Sequence, residues 1–560
     1  MLEEATLWRL IEARAAATPA ACMAVDEHGR RLDFAGYRDA CLAVAGALAG
    51  RGLQPGQLVS WVLPTRLEAA VLIGALARLG AVQNPILPIY RGRELDFIIA
   101  QARPSLLVTP GCWRGFDYAA EAHRLAGAHP GLAPLVVERG LPGAPDLGRV
   151  EAPPGRMHPA PDRAPAPASP DARGRSSASA RPSTAPPPLP PPPESIEPRA
   201  QPVRWVFYSS GTTGDPKGAL HTDASLWSAA LGMARGLALD ADDRIAFVFP
   251  ITHVGGLGWL MGGLATGARQ ILIEHFAAED TLAVLRREGV TLGTAGTVFH
   301  ETYLRAARAC PDPPLFPHLR AFPGGGAPKP PRLHDELVET FGGAGICSGW
   351  GLTEAPNLTM TRIDDPPEKR ARTEGRAALP EVELRAVTPE GRLAAPGETG
   401  ELRARGPHLF RGYLDARLDA AAFDADGFFR TGDLGFIDHE GYVVITGRLK
   451  DVIIRKGENI AAKEIEDLLS AHPLVDDVAV VGLPDAATGE RCCAVVVCRD
   501  PARPLAFDEM QRFLRDARLM TQKIPEQLEL VDALPRNPTG KILKHVLRAR
   551  FARSAENAHR

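Results

Sequence analysis

Several patterns that would assign the chain to a class at once are missing. Its eight cysteines show no Cys-x-x-Cys spacing, even where Cys492, Cys493 and Cys498 come close together, and no histidine completes a zinc set. We therefore expect reduced, mostly buried thiols and a cytoplasmic protein, because disulfides are rare in that compartment.

Bulk charge of one sign is also missing. Lysine and arginine total 64 and aspartate and glutamate total 67, which leaves a formal net charge of −3. A nearly neutral chain lacks the positive surface that steers a protein to nucleic acid. We therefore expect no nucleic-acid partner, and other partners must be inferred from local sites.

Long apolar runs are absent as well. The window 69–82 is interrupted by Arg78 and the window 254–268 is short and glycine-rich, whereas a membrane span needs roughly 20 apolar residues. Residues 1–20 are charged and helix-like and have no signal-peptide core. We expect a soluble protein without an integral membrane segment.

Proline dominates one segment. Residues 151–200 hold 16 of the 52 prolines and no phenylalanine, tyrosine or tryptophan. Such a segment cannot bury enough apolar surface to fold, so we predict a disordered insert over 151–202. The run PPPLPPPP at 186–193 favours an extended conformation and is also compatible with a weak partner that recognises proline motifs.

The rest of the chain alternates helix-like and strand-like patterns. An amphipathic helical pattern at 69–79 precedes a short apolar run at 105–108, which indicates α/β layering. At 560 residues the chain exceeds one hydrophobic core. Because two β-rich runs surround a charged turn at 441–454, we predict a large multi-subdomain α/β domain over 1–449 and a small α/β domain over 450–560.

A phosphate-binding loop is predicted at 208–218, which reads YSSGTTGDPKG. Glycines let backbone N–H groups converge on an anion, hydroxyls add donors, and Lys217 adds a positive charge. An ordinary turn uses the same residue types and stays open at this point. Asp215 and Pro216 separate Gly214 from Lys217, which excludes a Walker A loop.

Five further motifs follow in order: GGGAP at 324–328, WGLTE at 350–354, RTGD at 430–433, GRLKD at 447–451 and PRNPTGK at 535–541. Singly, each has an ordinary alternative, such as a tight turn, a core tryptophan or an exposed lysine. In this order they resemble the adenylate-forming, AMP-binding superfamily, which includes the acyl-CoA synthetases.

The resemblance implies an ATP site with Mg²⁺. In the family an aromatic ring packs on adenine, an aspartate binds ribose, a glutamate binds the metal and a C-terminal lysine stabilises the adenylation transition state. Trp350 stands where many members have tyrosine. The predicted catalytic residues are Lys541, His253 and Glu354, of which Glu354 also binds the metal, although His253 can also be a buried structural histidine. The predicted ATP-binding residues are Ser209, Ser210, Gly211, Thr212, Thr213, Gly214, Lys217, Gly325, Gly326, Ala327, Trp350, Gly351, Thr353, Asp433 and Arg448.

The resemblance also implies that a second half-reaction, thioester formation, follows adenylation, and that the small C-terminal domain moves between the two. Lys450 falls at the family's hinge position, and Lys456, Gly457 and Glu458 resemble the segment that enters the site for thioester formation. The motif PITHVGG at 250–256 matches the acyl-CoA synthetase form and has no aspartate to pair with a substrate amine. The predicted acyl pocket is largely apolar and consists of Trp259, Thr297, Val298, Phe299 and Gly349.

We therefore expect an acyl-CoA synthetase that takes ATP, Mg²⁺, CoA and an apolar, fatty or alicyclic, carboxylic acid. A fatty acyl-AMP ligase that serves a separate carrier protein stays open, as does a non-catalytic nucleotide-binding paralogue. The chain ends nineteen residues after Lys541, which leaves no space for a carrier domain, so a multimodular synthetase is not expected. A homodimer also stays open.

Overall fold

The structure is a computed structural model of the chain. It describes residues 1–2, 6–138, 140–145, 189, 191, 200–209, 216–311, 313–326, 329–455, 458–485, 488–537 and 540–558, without the side chains of 458, 459 and 553–558. The predicted insert at 151–202, with the proline run at 186–193, lies almost entirely outside these residues, so its prediction stays open.

Helices and strands alternate through the first part of the chain, where parallel pairing is common. In chain order the elements are α1 (Leu7–Ala17), β1 (Cys22–Asp26), β2 (Arg31–Asp33), α2 (Phe34–Gly50), β3 (Leu58–Trp61), α3 (Leu67–Leu79), β4 (Val82–Pro85), α4 (Gly92–Ala102), β5 (Leu106–Thr109), β6 (Cys112–Trp113), β7 (Phe116–Asp117), α5 (Tyr118–Ala128) and β8 (Ala133–Val136).

The central part continues this alternation and then becomes rich in strands. Its elements are β9 (Trp205–Ser209), β10 (Lys217–His221), α6 (Asp223–Gly236), β11 (Arg244–Phe247), α7 (Val254–Thr266), β12 (Arg269–Leu272), α8 (Ala278–Arg287), α9 (Thr297–Ala309), β13 (Phe322–Gly325), α10 (Pro331–Thr340), β14 (Ile346–Leu352), β15 (Ala355–Met360), α11 (Pro367–Arg372), β16 (Arg376–Ala377), β17 (Glu383–Val387), β18 (Gly400–Arg405), α12 (Asp419–Ala422), β19 (Phe429–Ile437) and β20 (Val443–Arg448).

The last part is a small α/β unit. It consists of β21 (Val452–Arg455), β22 (Glu458–Ala461), α13 (Ala462–Ser470), β23 (Val475–Asp485), β24 (Gly489–Cys498), α14 (Phe507–Asp516), β25 (Gln527–Leu530) and α15 (Lys544–Ala558). Short 3₁₀ turns lie at Ala416–Leu418, Leu449–Asp451 and Thr521–Lys523.

Within the described residues, the larger part is built on three sheet assemblies, one of which joins two four-stranded sheets, together with the short two-stranded sheet β6-β7. One has the order β10-β9-β4-β3-β5-β8, and its β9, β4, β3, β5 and β8 pair in parallel. A second layer combines β11-β12-β1-β2 with β13-β14-β15-β16, because Leu292 forms parallel bridges to both Ile245 and Ala321. The third sheet, β17-β18-β19-β20, is antiparallel. The extensive parallel pairing agrees with the α/β layering expected from the alternating pattern.

The C-terminal sheet has the order β22-β21-β24-β23, with β25 added alongside β24. Its long strands are apolar on both faces because helices cover both. Val478 and Val480 belong to a core that includes residues of α13 and α14, whereas Ala479 and Val481 pack with Leu547 on the α15 side. The charged turn Leu449–Asp451 lies between β20 and β21, which belong to different sheets.

Two sequence-level expectations about exposure can be compared with this fold. All eight cysteines lie among the described residues and are free thiols; four are buried, two are partly exposed and two are exposed. Within the described ranges, no helix combines the length and the apolar character that crossing a membrane requires.

Candidate active site

A cavity of about 240 Å³ lies between the C-terminal unit and the strands that precede it. Its wall includes residues of α9, β14, β19 and β20 on one side and of α13, β23 and the lysine loop before α15 on the other. The structure thus brings together residues that are far apart in the sequence. The predicted site residues in its wall are Thr297, Gly326, Gly349, Trp350, Gly351, Asp433, Arg448, Lys450 and Lys541.

Asp433 lies at the centre of a small polar network in this wall. It is 3% exposed, and its Oδ1 lies 2.8 Å from the Arg448 Nε. The indole N–H of Trp350 donates to the other carboxylate oxygen at 2.8 Å. Strand register explains the first contact, because Asp433 and Arg448 are directly paired on β19 and β20. The predicted ribose acceptor and its arginine neighbour are therefore held together by the sheet.

The environment of Trp350 agrees in part with both interpretations of the sequence, a core tryptophan and a ring that packs on adenine. The ring is 6% exposed and packs into the core of the antiparallel sheet, as expected for a core tryptophan. Its edge nevertheless lines the cavity and contacts Asp433. Adenine stacking stays a prediction.

Lys541 reaches the cavity from a loop that is closed on itself. The backbone N–H of Lys541 donates to the Asn537 Oδ1 at 2.8 Å, and the Asn537 N–H donates back to the Lys541 carbonyl at 2.9 Å. Burial, and then the nearby charges of Arg448 and Lys450, lower the pKa of Lys541 to about 7, against the opposing effect of Asp433. The lysine is therefore poised to take up a proton when an anion arrives.

Arg536 joins this loop to the C-terminal sheet. Its guanidinium hydrogen-bonds the Gly540 carbonyl oxygen and lies 2.7 Å from the Asp477 carboxylate. Across the cavity, Glu301 faces this pair from α9. Burial, followed by the charge of Asp477, raises the pKa of Glu301 to about 7, while Arg536 acts in the opposite direction. The sequence motifs did not single out Glu301, because it is an ordinary glutamate in a helix and only the tertiary fold brings it here.

Glu354 lies in a second cluster that includes the end of the predicted phosphate loop. The side chain is 7% exposed and accepts a hydrogen bond from the Tyr413 hydroxyl at 2.9 Å. No lysine, arginine or histidine in the described ranges lies within 4.0 Å of this carboxylate. Lys217 lies with its Nζ 5.5 Å from the centroid of the Tyr413 ring. Sequence reasoning missed Tyr413, whose only local signal is a glycine before an aromatic residue.

The turn that carries Glu354 is fixed from two sides. The imidazole of His221, at the end of β10, contacts the Thr353 carbonyl oxygen through Nε2 at 2.8 Å. The Phe410 N–H donates to the Glu354 carbonyl at 2.8 Å. Burial lowers the pKa of His221 to about 4, so the ring is neutral near pH 7. Thr353 therefore contributes its backbone to a rigid support for the glutamate.

Several predicted residues lie at the margins or outside the described part. Ser209 ends β9 and pairs with Lys217, whereas Ser210, Gly211, Thr212, Thr213 and Gly214 lie outside the described residues. The same holds for Ala327, Lys456 and Gly457, and the side chain of Glu458 is not described. For these residues the sequence predictions stay open.

His253 and most of the predicted acyl-pocket residues lie on or next to two helices, α7 and α9, whereas Gly349 lies on β14. His253 caps α7, where its Nδ1 accepts from the Gly255 N–H at 3.1 Å, and burial lowers its pKa to about 4. Trp259, on the same helix, and Phe299, on α9, are packed into two different cores. Thr297 and Gly349 line the cavity described above, and Val298 lies beside Gly540 of the lysine loop. The structure therefore brings only part of the predicted acyl set to this cavity.

Gly325 has a structural role that the sequence did not reveal. It pairs with Gly349 across the parallel strands β13 and β14, and a Cβ at Gly325 would lie 2.6 Å from the Gly349 carbonyl oxygen. Close strand approach therefore requires glycine here. Gly326 has a φ of +80° with open space around it, so its requirement is conformational.

A buried aspartate beside an arginine, a C-terminal lysine and a buried glutamate near the phosphate loop are the arrangement that the resemblance implies. Comparisons with known proteins agree. The family model described as AMP-binding enzyme matches residues 11–414, and the model of the AMP-binding enzyme C-terminal domain matches residues 464–541. The chain belongs to the AMP-binding enzyme family, and the predicted adenylate-forming superfamily of acyl-CoA synthetase type is confirmed.

Curated relatives include ligases of two kinds. The chain is 29% identical over 536 residues to the medium-chain fatty-acid–CoA ligase of Escherichia coli K12, covering 95% of this chain and 88% of the relative. It is 34% identical over 508 residues to the salicyl-AMP ligase / salicyl-S-ArCP synthetase of Mycobacterium tuberculosis, covering 90% and 82%. These similarities support an adenylating ligase.

A solved structure matches the whole architecture. ATP-bound MatB from Rhodopseudomonas palustris aligns with a TM-score of 0.80 and 29% identity, covering 98% of this chain and 99% of that chain. The predicted fold class, a large N-terminal α/β domain with a small C-terminal one, is confirmed.

Proposed function

We propose that the protein is an acyl-CoA synthetase that works in two half-reactions. A carboxylate oxygen first attacks the α-phosphorus of ATP, and the bond to the bridging oxygen breaks so that pyrophosphate leaves. The sulfur of the CoA thiol then attacks the acyl carbon, the bond between that carbon and the AMP oxygen breaks, AMP leaves, and the thiol proton passes to water. The observation that carries the proposal is the convergence of Asp433, Arg448 and Lys541 on one cavity.

The charges in this cavity suit the first half-reaction. Asp433 offers acceptor oxygens for ribose hydroxyls, whereas Arg448 and Lys541 supply positive charge beside it. Negative charge builds up at the α-phosphate as the carboxylate attacks, and a positioned ammonium stabilises that state more than the ground state. Lys541 is therefore the residue to which we assign the largest catalytic role.

Glu354 is suited to bind the Mg²⁺ that accompanies ATP. A buried carboxylate is usually paired with a cation or coordinates a metal, and Glu354 is 7% exposed with the Tyr413 hydroxyl as its partner. Mg²⁺ is commonly held by one or two carboxylates together with substrate phosphates, so one glutamate suffices. When bound, Mg²⁺ would neutralise phosphate charge. The remaining ATP contacts are assigned to Lys217 and the loop that precedes it.

The acid is proposed to be apolar. Val254 and Trp259 are buried on α7, and Phe299 is buried on α9. His253 has a pKa lowered to about 4 by burial, so near pH 7 it offers a neutral imidazole to a carboxylate. These residue types, assigned to the acyl pocket on the resemblance, suit an apolar acid and contribute no formal charge.

The domain assignment belongs to this proposal. Residues 1–449 would form the nucleotide-binding body and 450–560 the part that moves, with Lys450 as the hinge. Support comes from the turn Leu449–Asp451, which separates two strands of different sheets. Lys456, Gly457 and Glu458 are assigned to the thioester step on the resemblance alone.

The experiment is a pyrophosphate-release screen over carboxylic acids, run with and without CoA. We expect release with fatty or alicyclic acids, and a CoA thioester detected by mass spectrometry when CoA is present. Lack of pyrophosphate release across the screen would contradict the function.

A carrier-protein ligase is the second candidate, because the salicyl-AMP ligase / salicyl-S-ArCP synthetase is 34% identical to the chain. It predicts acid-dependent pyrophosphate release without a CoA thioester. Aryl acids as the best substrates, with no thioester, would favour this candidate over the first.

A further inference from the structure

Tyr413 contacts both charged residues of the second cluster. Its hydroxyl donates to the Glu354 Oε1 at 2.9 Å, and the Lys217 Nζ lies 5.5 Å from the centroid of its ring. The Glu354 carboxylate is assigned to the metal and the Lys217 ammonium to phosphate. Both groups therefore lie against the same side chain, that of Tyr413. We propose that Tyr413 is a positioning residue that aims Glu354 and Lys217 at the same Mg²⁺–phosphate group, an inference that rests on the proposed function.

The backbone around Tyr413 is held rigidly. The Arg411 N–H donates to the Leu220 carbonyl at 2.7 Å, the Leu220 N–H donates to the Gly412 carbonyl at 3.0 Å, and the Leu414 N–H donates to the Gly218 carbonyl at 2.7 Å. The segment thus extends the edge of β10, the strand that begins with Lys217. The backbones of Lys217 and Tyr413 are consequently fixed relative to each other by main-chain hydrogen bonds.

The side chain of Tyr413 is fixed as well. It is 7% exposed, and its ring meets that of Phe410 edge to face at 4.8 Å between centroids. Its N–H donates to the Asp419 Oδ1 at 2.8 Å. Its phenol O–H donates to the Glu354 carboxylate at 2.9 Å. This donor binds one oxygen of the Glu354 carboxylate and thereby sets the direction in which the other oxygen points.

The hydroxyl and the ring have separable tasks. Hydrogen-bond partners that orient a metal ligand typically matter by about 10- to 100-fold in metal affinity or activity. The ring face instead attracts the Lys217 ammonium through a cation–π interaction. Removing the hydroxyl should therefore affect metal-dependent binding, whereas removing the ring should also affect metal-free ATP.

The test compares binding of ATP with Mg²⁺ and ATP in EDTA, measured by titration calorimetry without any acid. Tyr413→Phe should weaken Mg·ATP binding about 10- to 100-fold and leave metal-free ATP binding unchanged. Tyr413→Leu should weaken both. Mn²⁺ titration of the ATP-loaded protein, followed by electron paramagnetic resonance, reads the metal directly.

Tyr303→Phe is the matched control, because Tyr303 is also buried and its hydroxyl has no hydrogen-bond partner in the described part of the chain. It should bind like the parent. In Glu354→Gln the amide oxygen still accepts from Tyr413, so the ring stays in place and only metal-dependent binding should fall. Adding Tyr413→Phe to Glu354→Gln should then have little further effect.

Three results would overturn the proposal. They are parental Mg·ATP affinity in Tyr413→Phe, equal loss with and without metal in that variant, and unchanged Mg·ATP affinity in Glu354→Gln. The last result decides the question even if the Tyr413 variants do not fold. A parent protein that binds Mg·ATP as expected but never releases pyrophosphate with any acid would contradict the proposed function and leave this inference intact.

Discussion

At the scale of single residues, the cavity places the ammonium of Lys541 among other charged side chains. The motif order predicted Lys541 from a resemblance. That its ammonium lies near two other cations, Arg448 and Lys450, follows from two separate segments, 447–451 and 535–541, meeting at one cavity. Tyr413 and Glu301 were missed for the same reason, since no spacing in the sequence links them to Glu354 or to Arg536.

Lys541 should make ATP binding depend on pH. Its folded pKa, about 7, lies below that of an unfolded lysine, so between these two values the unfolded chain holds a proton that the folded chain lacks. The stability contribution of this group therefore rises with pH through that window, and below it the buried ammonium opposes docking of the lysine loop. Bound ATP phosphates favour the protonated form of Lys541 instead, because their negative charge raises the pKa of the lysine.

The expected result is uptake of up to about one proton when ATP binds at pH 8. Calorimetry in two buffers of different ionisation enthalpy measures this uptake directly. Lys541→Ala should abolish it while the protein stays folded by thermal unfolding. Buffer-independent heats in the parent, or proton uptake that persists in the variant, would contradict the assignment.

At the scale of elements, local sequence patterns predicted the presence of a helix or strand better than the sheet to which a strand belongs. The helical pattern at 69–79 corresponds to α3, Leu67–Leu79, and the apolar run at 105–108 to β5, Leu106–Thr109. The two runs at 441–454 are β20 and β21, yet they belong to different sheets. Sheet membership depends on distant strands, which a local pattern does not contain.

Gly325 in the GGGAP motif is an example, because its need for glycine depends on a distant strand. Gly325→Ala should destabilise the β13–β14 pair, because the new Cβ would lie 2.6 Å from the Gly349 carbonyl oxygen. Backbone cannot give way as a flexible side chain can, so a loss of about 1–3 kcal/mol in the free energy of unfolding is expected. Chemical unfolding curves measure it, and ATP affinity should fall as the cavity wall shifts.

Gly447→Ala is the matched control. Gly447 also lies in a strand and lines the cavity, but a Cβ there would meet nothing within 4 Å. It should change stability by less than about 0.5 kcal/mol. Equal stability of the two alanine variants would show that strand approach does not explain the need for glycine at Gly325.

At the scale of the whole molecule, the cavity exists only while the C-terminal unit is docked. Lys541 and Arg536 reach it from that unit, whereas Asp433, Arg448 and Glu301 reach it from the larger part. The ATP-bound relative aligns over 98% of this chain with a TM-score of 0.80. Under the proposed function, a cavity closed by Lys541 suits adenylation, and the second half-reaction would require this unit to move away.

A reversible crosslink should separate the two half-reactions. A Cβ built on Gly540 would lie 3.8 Å from the Val298 Cβ, a separation typical of disulfides. Val298→Cys with Gly540→Cys should therefore lock the lysine loop against α9 when oxidised. Gly540 has a φ of +84°, so a cysteine there is strained, but the reduced double variant carries the same strain and is the proper reference.

In the oxidised double variant, acid-dependent pyrophosphate release should persist in a single turnover, because the docked arrangement is the one that contains Lys541. Thioester formation should fall about 100-fold, as expected when a reacting group cannot reach its position, and a reductant should restore it. The parent treated with the same oxidant controls for the exposed thiols of Cys112 and Cys310. Equal thioester rates in the oxidised and reduced forms would mean that the thiol enters without withdrawal of the lysine loop, and the hinge at Lys450 would then have no role in the second step.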